Sequence, residues 1–181
     1  MLLAYALLLA AGPPPPPTRC RLTASDRVAN RSLDFQSFDQ DGKLPSTARA
    51  LARRGCYAEA AQANIDYLLH GHSLTDYERN VVRFHTGQYL ATSGQEREAA
   101  LLIAGTRRGT DPQRPQFDWD SYVVGTYAFL SKDRALVDDM AKRLSGGDDF
   151  GNRMNGKVLR RFQRCFRQPY RVAYGTDPRC D

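Results

Sequence analysis

Three stretches of the chain share one arrangement of small residues: PSTARALARRGCYAEA at 45–60, FHTGQYLATSGQEREA at 84–99 and YVVGTYAFLSKDRALV at 122–137. In each copy, a small residue stands seven positions before a turn residue and twelve before an apolar one. The small residues are Ala48, Gly87 and Gly125, the turn residues are Gly55, Gly94 and Lys132, and the apolar residues are Ala60, Ala99 and Val137. A small residue lets a second helix approach closely, and a turn glycine ends the first helix. The pattern predicts three helix–turn–helix units.

The central region as a whole has helical periodicity. Apolar residues from Leu44 onward recur at helical spacing, and no stretch there shows the period of two that is typical of strands. Turn residues divide this region into segments, and we expect helices at about 45–54, 57–69, 75–93, 95–106, 118–131, 133–144 and 152–166. The predicted fold is all-α: an α-hairpin repeat array of three helical hairpins plus a C-terminal capping helix.

The motif Gly55-Cys56-Tyr57-Ala58-Glu59-Ala60 resembles the G-x-Y-x-x-A core of the tetratricopeptide repeat family, and the resemblance extends over 44–144. The chain departs from the family in its repeat of 38 or 39 residues, where the family has 34. It also has Glu96 where the family tyrosine is expected. A Sel1-like or other degenerate hairpin array fits the same pattern. An ordinary helical bundle with coincidental spacing is the further alternative.

The resemblance implies a concave groove, lined by the first helix of each hairpin, that binds an extended peptide or a protein partner. The family's groove positions fall on Arg49, Phe84, Gln88, Tyr122 and Thr126, and Arg53 lies one turn beyond Arg49. Plain core packing is the alternative for the two aromatic residues, because aromatic side chains on helices are usually buried. A solvated face is the alternative for the two arginines.

The start of the chain has the character of a targeting segment. Leu2 to Ala11 is an uninterrupted apolar run of ten residues, too short to span a membrane but typical of a signal peptide. We assign 1–11 to the signal peptide and 12–43 to a proline-rich spacer and irregular segment, since Pro13 to Pro17 form an extended run. The sequence therefore predicts a periplasmic or secreted protein with no transmembrane span in the mature chain.

An exported protein with four cysteines has three ways to pair them. A link between Cys165 and Cys180 closes a loop of about 15 residues, which leaves Cys20 to pair with Cys56. We favour this connectivity because each bridge then joins sequence neighbours. Four unpaired thiols are expected if the chain is not exported.

The charge of the chain is concentrated at its C-terminal end. The formal net charge is +6, yet residues 1–151 hold 18 basic and 18 acidic residues, whereas 152–181 hold 8 and 2. Within 145–181, the predicted capping helix carries a basic stripe at helical spacing: Arg153, Lys157, Arg160, Arg164 and Arg167. A polar outer face is what a terminal cap requires. An anionic surface is the alternative partner for the stripe, and nucleic acid is not expected because no aromatic residue lies within it for base stacking.

The sequence contains no recognisable enzyme motif. It has no G-x-S-x-G, P-loop, H-E-x-x-H or C-x-x-C, and we expect no cofactor or metal. Asp39 and Asp41 suggest half of a calcium loop, but Ala48 stands where its bidentate Glu is required. We therefore expect an exported, non-enzymatic protein-interaction module. The alternative is a small cell-envelope hydrolase in which Glu78 and His85, on one helix face, act together.

Overall fold

The computed structural model describes residues 18–71, 73–110, 114–146 and 148–181. Within these ranges the chain forms helices and no strand, which confirms the all-α prediction. The helices are α1 (Ala24–Arg31), α2 (Ala48–Arg53), α3 (Tyr57–His70), α4 (Asp76–Thr92), α5 (Glu96–Ala104), α6 (Trp119–Leu130), α7 (Arg134–Ser145), α8 (Phe150–Arg164) and α9 (Tyr170–Tyr174). The described residues also form a π-helical turn at Gln36–Asp41 and short 3-10 turns at Thr18–Cys20 and Pro178–Cys180. No helix of the described residues combines the length and the apolar character that a membrane span requires.

Helices α2 to α7 form three hairpins that turn in the same way. The turn positions Gly55, Gly94 and Lys132 all have positive φ, at 77°, 97° and 62°. In each hairpin the next backbone N–H donates to a carbonyl one turn back in the first helix, as in Cys56 N to Leu51 O at 3.0 Å. The equivalent bonds are Gln95 N to Leu90 O and Asp133 N to Ala128 O, at 2.9 and 2.8 Å. The sequence repeat is therefore also a repeat of backbone geometry.

The small residues of the repeat lie where helices meet. A Cβ atom at Gly87 would lie 2.4 Å from Cγ1 of Ile103 on α5, and one at Gly125 would lie 2.6 Å from Cδ1 of Leu159 on α8. The apolar positions twelve residues further on, Ala60, Ala99 and Val137, are completely buried. From α2 onward, successive helices pack in chain order, and α8 covers both helices of the third hairpin.

The interior consists of two apolar clusters on either side of α4. Val82 joins the N-terminal cluster, which contains Leu51 and Tyr67, whereas Phe84 joins the larger C-terminal cluster around Phe129 and Phe162. Because α4 contributes to both clusters, its remaining exposed face is held rigidly by the core on each side.

The N-terminal segment contains more regular structure than its sequence predicts. Helix α1 packs on α3, where Arg31 donates to both carboxylate oxygens of Asp66 at 2.9 and 2.6 Å. The ring of Phe38 stacks on that of Tyr67 at 3.9 Å, and Cys20 is bonded to Cys56. Residues 18–43 are thus part of the packed fold rather than an irregular spacer. The predicted signal peptide and the proline run lie outside the described residues.

The C-terminal segment folds back over the array. Cys165 is bonded to Cys180, so both predicted cysteine pairs are present, with Cα separations of 5.3 Å for the N-terminal pair and 5.4 Å for this one. Arg161 of α8 donates to the carbonyls of Ala173 and Asp177 and pairs with the side chain of Asp181. These contacts hold α9 against α8 and α4.

Candidate functional site

An open cavity of about 320 Å³ lies between α2, α4 and α9. We call it the groove cavity, because it lies on the face formed by the first helices of the first two hairpins. Its walls carry basic and aromatic side chains. The lining residues are Arg49, Ala52, Arg53, Tyr57, His85, Gln88, Tyr89, Thr92, Arg171, Tyr174 and Gly175.

Helical spacing brings the polar lining together. On α4, His85, Tyr89 and Thr92 are separated by four and three residues and therefore share one face. On α2, Arg49 and Arg53 are four residues apart and meet that face from the neighbouring hairpin. The third arginine, Arg171, comes from α9 and closes the cavity from the C-terminal side.

Most of the predicted groove residues lie beneath this surface. Phe84, Tyr122 and Thr126 are buried in the C-terminal cluster or its boundary, so core packing accounts for them. Gln88 is also largely buried, and its amide nitrogen donates to the hydroxyl of Tyr122 at 3.1 Å and to that of Tyr170 at 3.3 Å. The groove expected for a peptide is therefore partly filled by the protein's own α9, which leaves Arg49 and Arg53 as the predicted groove residues with exposed surface at the cavity.

The arginines give the groove cavity an excess of positive charge. Arg49 donates through Nε to the backbone carbonyl of Asp39, and its Nη2 lies 3.9 Å from that residue's carboxylate. Arg53 makes one bond of 3.3 Å, to the carbonyl of Asp41. Neither Arg53 nor Arg171 forms an ion pair with any residue that the structure describes. Two guanidinium groups thus line the cavity, and none of its described lining residues is a carboxylate.

A buried carboxylate stands behind His85. Asp39, on the π-helical turn, has a side chain only 1% exposed, and both of its oxygens lie 2.9 Å from Nδ1 of His85. Glu78, which sequence reasoning paired with His85, instead accepts hydrogen bonds from Thr75 at the N-terminus of α4. Asp39 was noticed only as part of an incomplete calcium loop, and nothing in its local sequence indicates a partner 46 residues away.

Two phenols at the cavity have pKa values raised above the ordinary value of about 10, so both are neutral at physiological pH. The pKa of Tyr89 is raised to about 12, mainly by burial, with a smaller raising effect from the carboxylate of Asp39 and opposing effects from Arg49 and Arg53. Burial is also the main cause that raises the pKa of Tyr174, whose hydroxyl lies among Gln88 and Tyr122. A neutral phenol can donate a hydrogen bond, so these groups suit a ligand that accepts one.

Comparison with protein-family models, with curated proteins and with solved structures finds no significant match for this chain. The assignment of a function therefore rests on the residues themselves.

The predicted basic stripe is divided among several roles. Arg153 donates to the carbonyl of Asp148, Arg160 is half-buried and Lys157 is exposed. Arg164 donates to the carbonyl of Cys180 at 3.1 Å and, with Arg167, lines a second cavity of about 350 Å³. Two further arginines line that cavity, Arg134 and Arg179, and each is paired with an aspartate. Within the stripe, Arg164 thus stabilises the 3-10 turn at Pro178–Cys180.

One group of metal-ligand atoms is found among the described residues, formed by Cys20, Cys56 and Glu59. Its two sulfur atoms are bonded to each other in a disulfide. A thiolate is the form of cysteine that binds metals, so this group offers no metal site while the disulfide is intact.

Proposed function

We propose that this protein is an exported helical-repeat module of the tetratricopeptide type that binds an acidic group of a peptide or protein partner in the groove cavity. The observation that carries the proposal is that Arg53 and Arg171, which form no ion pair within the described part of the chain, line one cavity together with neutral phenols. Guanidinium groups bind carboxylates through charge-assisted hydrogen bonds, which are stronger than neutral ones.

The position of α9 limits what the cavity can accept. Tyr170 of α9 is fully buried and bonded to Gln88, so this part of the groove is filled by the protein itself. An extended peptide cannot lie along the whole groove while α9 is in place. The remaining opening suits one acidic side chain or a C-terminal carboxylate, with the rest of the partner lying over the surrounding surface.

The cysteine pairs support export. Disulfides form and persist in oxidising compartments such as the periplasm and the cell exterior, and the fold has one at each end of the array. The predicted signal peptide at 1–11 provides the route. In this interpretation the disulfides stabilise a small repeat array outside the cytosol.

The proposal is tested by charge-specific binding. We expect a fluorescent peptide with Asp and Glu at its free C-terminus to bind the protein at least tenfold more tightly than its amidated Asn/Gln counterpart. The double variant Arg53→Gln/Arg171→Gln should weaken binding of the acidic peptide at least tenfold, which corresponds to about 1.4 kcal/mol. Fluorescence anisotropy at 0.15 M salt measures both affinities.

The control variant removes the same charge from a different surface. Arg97 on α5 and Arg143 on α7 are exposed and lie outside the groove cavity. The double variant Arg97→Gln/Arg143→Gln should keep its affinity within twofold. Equal binding of the acidic and neutral peptides, or an equal loss in both double variants, would contradict a specific site in the cavity.

A further inference from the structure

The arginines of the groove cavity are sufficient to bind an anion, and the hydrogen-bonded pair of Asp39 and His85 therefore calls for a separate explanation. A carboxylate that is removed from water must be compensated by partners, and Asp39 has them in His85, Arg49 and the amide of Gln40. An ionised carboxylate only accepts hydrogen bonds, so Nδ1 of His85 is the donor and carries a proton. The other ring nitrogen, Nε2, is then left as the site that can accept or release a proton.

The imidazole lies at the boundary between this interior pair and the groove cavity. Its side chain is 19% exposed and forms part of the cavity wall. Tyr89 stands one helical turn further along α4, with its neutral hydroxyl near Arg49 and Arg53. The same cavity therefore contains a proton acceptor fixed by a carboxylate, a hydrogen-bond donor and the guanidinium groups of Arg53 and Arg171.

We propose that the groove cavity hydrolyses an ester that carries a separate carboxylate, with His85 as the general base. The inference rests on the proposed anion binding, because Arg53 and Arg171 hold the substrate's carboxylate. Asp39 is a positioning residue that fixes the imidazole and its tautomer. A histidine oriented by a buried carboxylate and placed beside a hydrogen-bond donor is an arrangement that suits activation of water.

The proposed reaction uses water as the nucleophile. Nε2 of His85 removes a proton from the water, and the water oxygen forms a bond to the ester carbonyl carbon. The carbonyl π-electron pair moves to oxygen, where the hydroxyl of Tyr89 donates a hydrogen bond to the oxyanion. When the intermediate collapses, the bond to the alcohol oxygen breaks, and the alcohol leaves with the proton returned by His85. Ester and water thus give acid and alcohol, with no other reactant.

The test uses two acetyl esters of which only one is charged, 4-acetoxybenzoate and 4-acetoxybenzamide. We expect the full-length protein, with its disulfides intact, to hydrolyse the charged ester with kcat/KM at least tenfold above that for the neutral ester. His85→Gln should lower kcat at least 100-fold, within the range that general-base catalysis contributes. Arg53→Gln/Arg171→Gln should raise KM with little change in kcat, whereas Arg97→Gln/Arg143→Gln should leave both unchanged.

Asp39→Asn distinguishes a positioning role from a purely structural one. We expect kcat to fall at least tenfold with KM unchanged and with the circular dichroism spectrum of the wild type. If this variant does not fold, His85→Gln decides the question. Hydrolysis by His85→Gln at the wild-type rate would overturn the inference. Absence of hydrolysis in a protein that binds the acidic peptide would also overturn it while leaving the proposed function intact, and absence of both would refute the two together.

Discussion

Gly87 and Gly125 determine how closely the hairpins pack. At Gly87, an added Cβ would lie 2.4 Å from Ile103, a residue with no exposed surface and therefore little room to move. Overpacking a dense core costs about 1–3 kcal/mol, which equals or exceeds the roughly 1 kcal/mol that alanine gains over glycine in a helix. The position therefore excludes even the smallest side chain.

We expect Gly87→Ala to lower the free energy of unfolding by up to about 2 kcal/mol, the overpacking cost minus the helix-propensity gain. The matched control is Gly156→Ala on α8, where the added Cβ would meet Leu144 at an ordinary 3.4 Å. That variant should be neutral or gain up to about 1 kcal/mol. Urea unfolding followed by circular dichroism measures both. Equal shifts in the two variants would show that close approach is not what Gly87 provides.

Some of the residues at the groove cavity could be predicted from the sequence and others could not. Arg49 and Arg53 line the same cavity, and their shared helix face follows from their spacing alone. The sequence does not predict Arg171 as a cavity residue or Asp39 as the partner of His85, since both lie on segments outside the repeats. Only the tertiary fold brings these segments to α4, and a single sequence carries no signal for such distant contacts.

At the scale of elements, the hairpin helices were predictable and the short flanking helices were not. The boundaries predicted for α3 to α7 agree with the structure to within two residues, because long periodic segments have clear caps. Helix α1 has no apolar stripe to detect, since its one buried residue is Asn30. Helix α9 has five residues, too few to be stable alone, and forms because the chain around it is held in place.

We therefore expect the disulfide between Cys165 and Cys180 to stabilise α9. We expect Cys165→Ser/Cys180→Ser to lower the free energy of unfolding by about 3 kcal/mol, the chain-entropy value for a 15-residue loop. Hydrogen exchange should accelerate at the amides of Tyr170–Tyr174 and remain unchanged in α3. In Cys20→Ser/Cys56→Ser, exchange should instead accelerate around 18–31. If both variants exchange faster at the same amides, the two bridges do not stabilise separate ends of the array.

At the scale of the whole molecule, several phenols are buried. Desolvation raises the pKa of Tyr67 and of Tyr89 to about 12, and it raises the pKa of Tyr122 and Tyr170 well above the usual value of 10. Tyr67 belongs to the N-terminal cluster, and Tyr170 to the C-terminal cluster. High pH therefore acts on both halves of the interior, and the stability of the entire array depends on keeping these hydroxyls protonated.

The pH dependence follows from the direction of these shifts. In the unfolded chain a tyrosine loses its proton near pH 10, whereas in the folded protein Tyr67 and Tyr89 keep theirs to about pH 12. Their contribution to stability is complete below pH 10 and is lost as the pH rises toward 12, at about 1.4 kcal/mol per pH unit for each tyrosine. Urea unfolding between pH 9 and pH 11.5 should show this fall, and Tyr89→Phe should make it shallower by one tyrosine's share. Phenolate absorbance provides the independent check, because a folded protein in which every tyrosine ionises near pH 10 would contradict the buried positions of these rings.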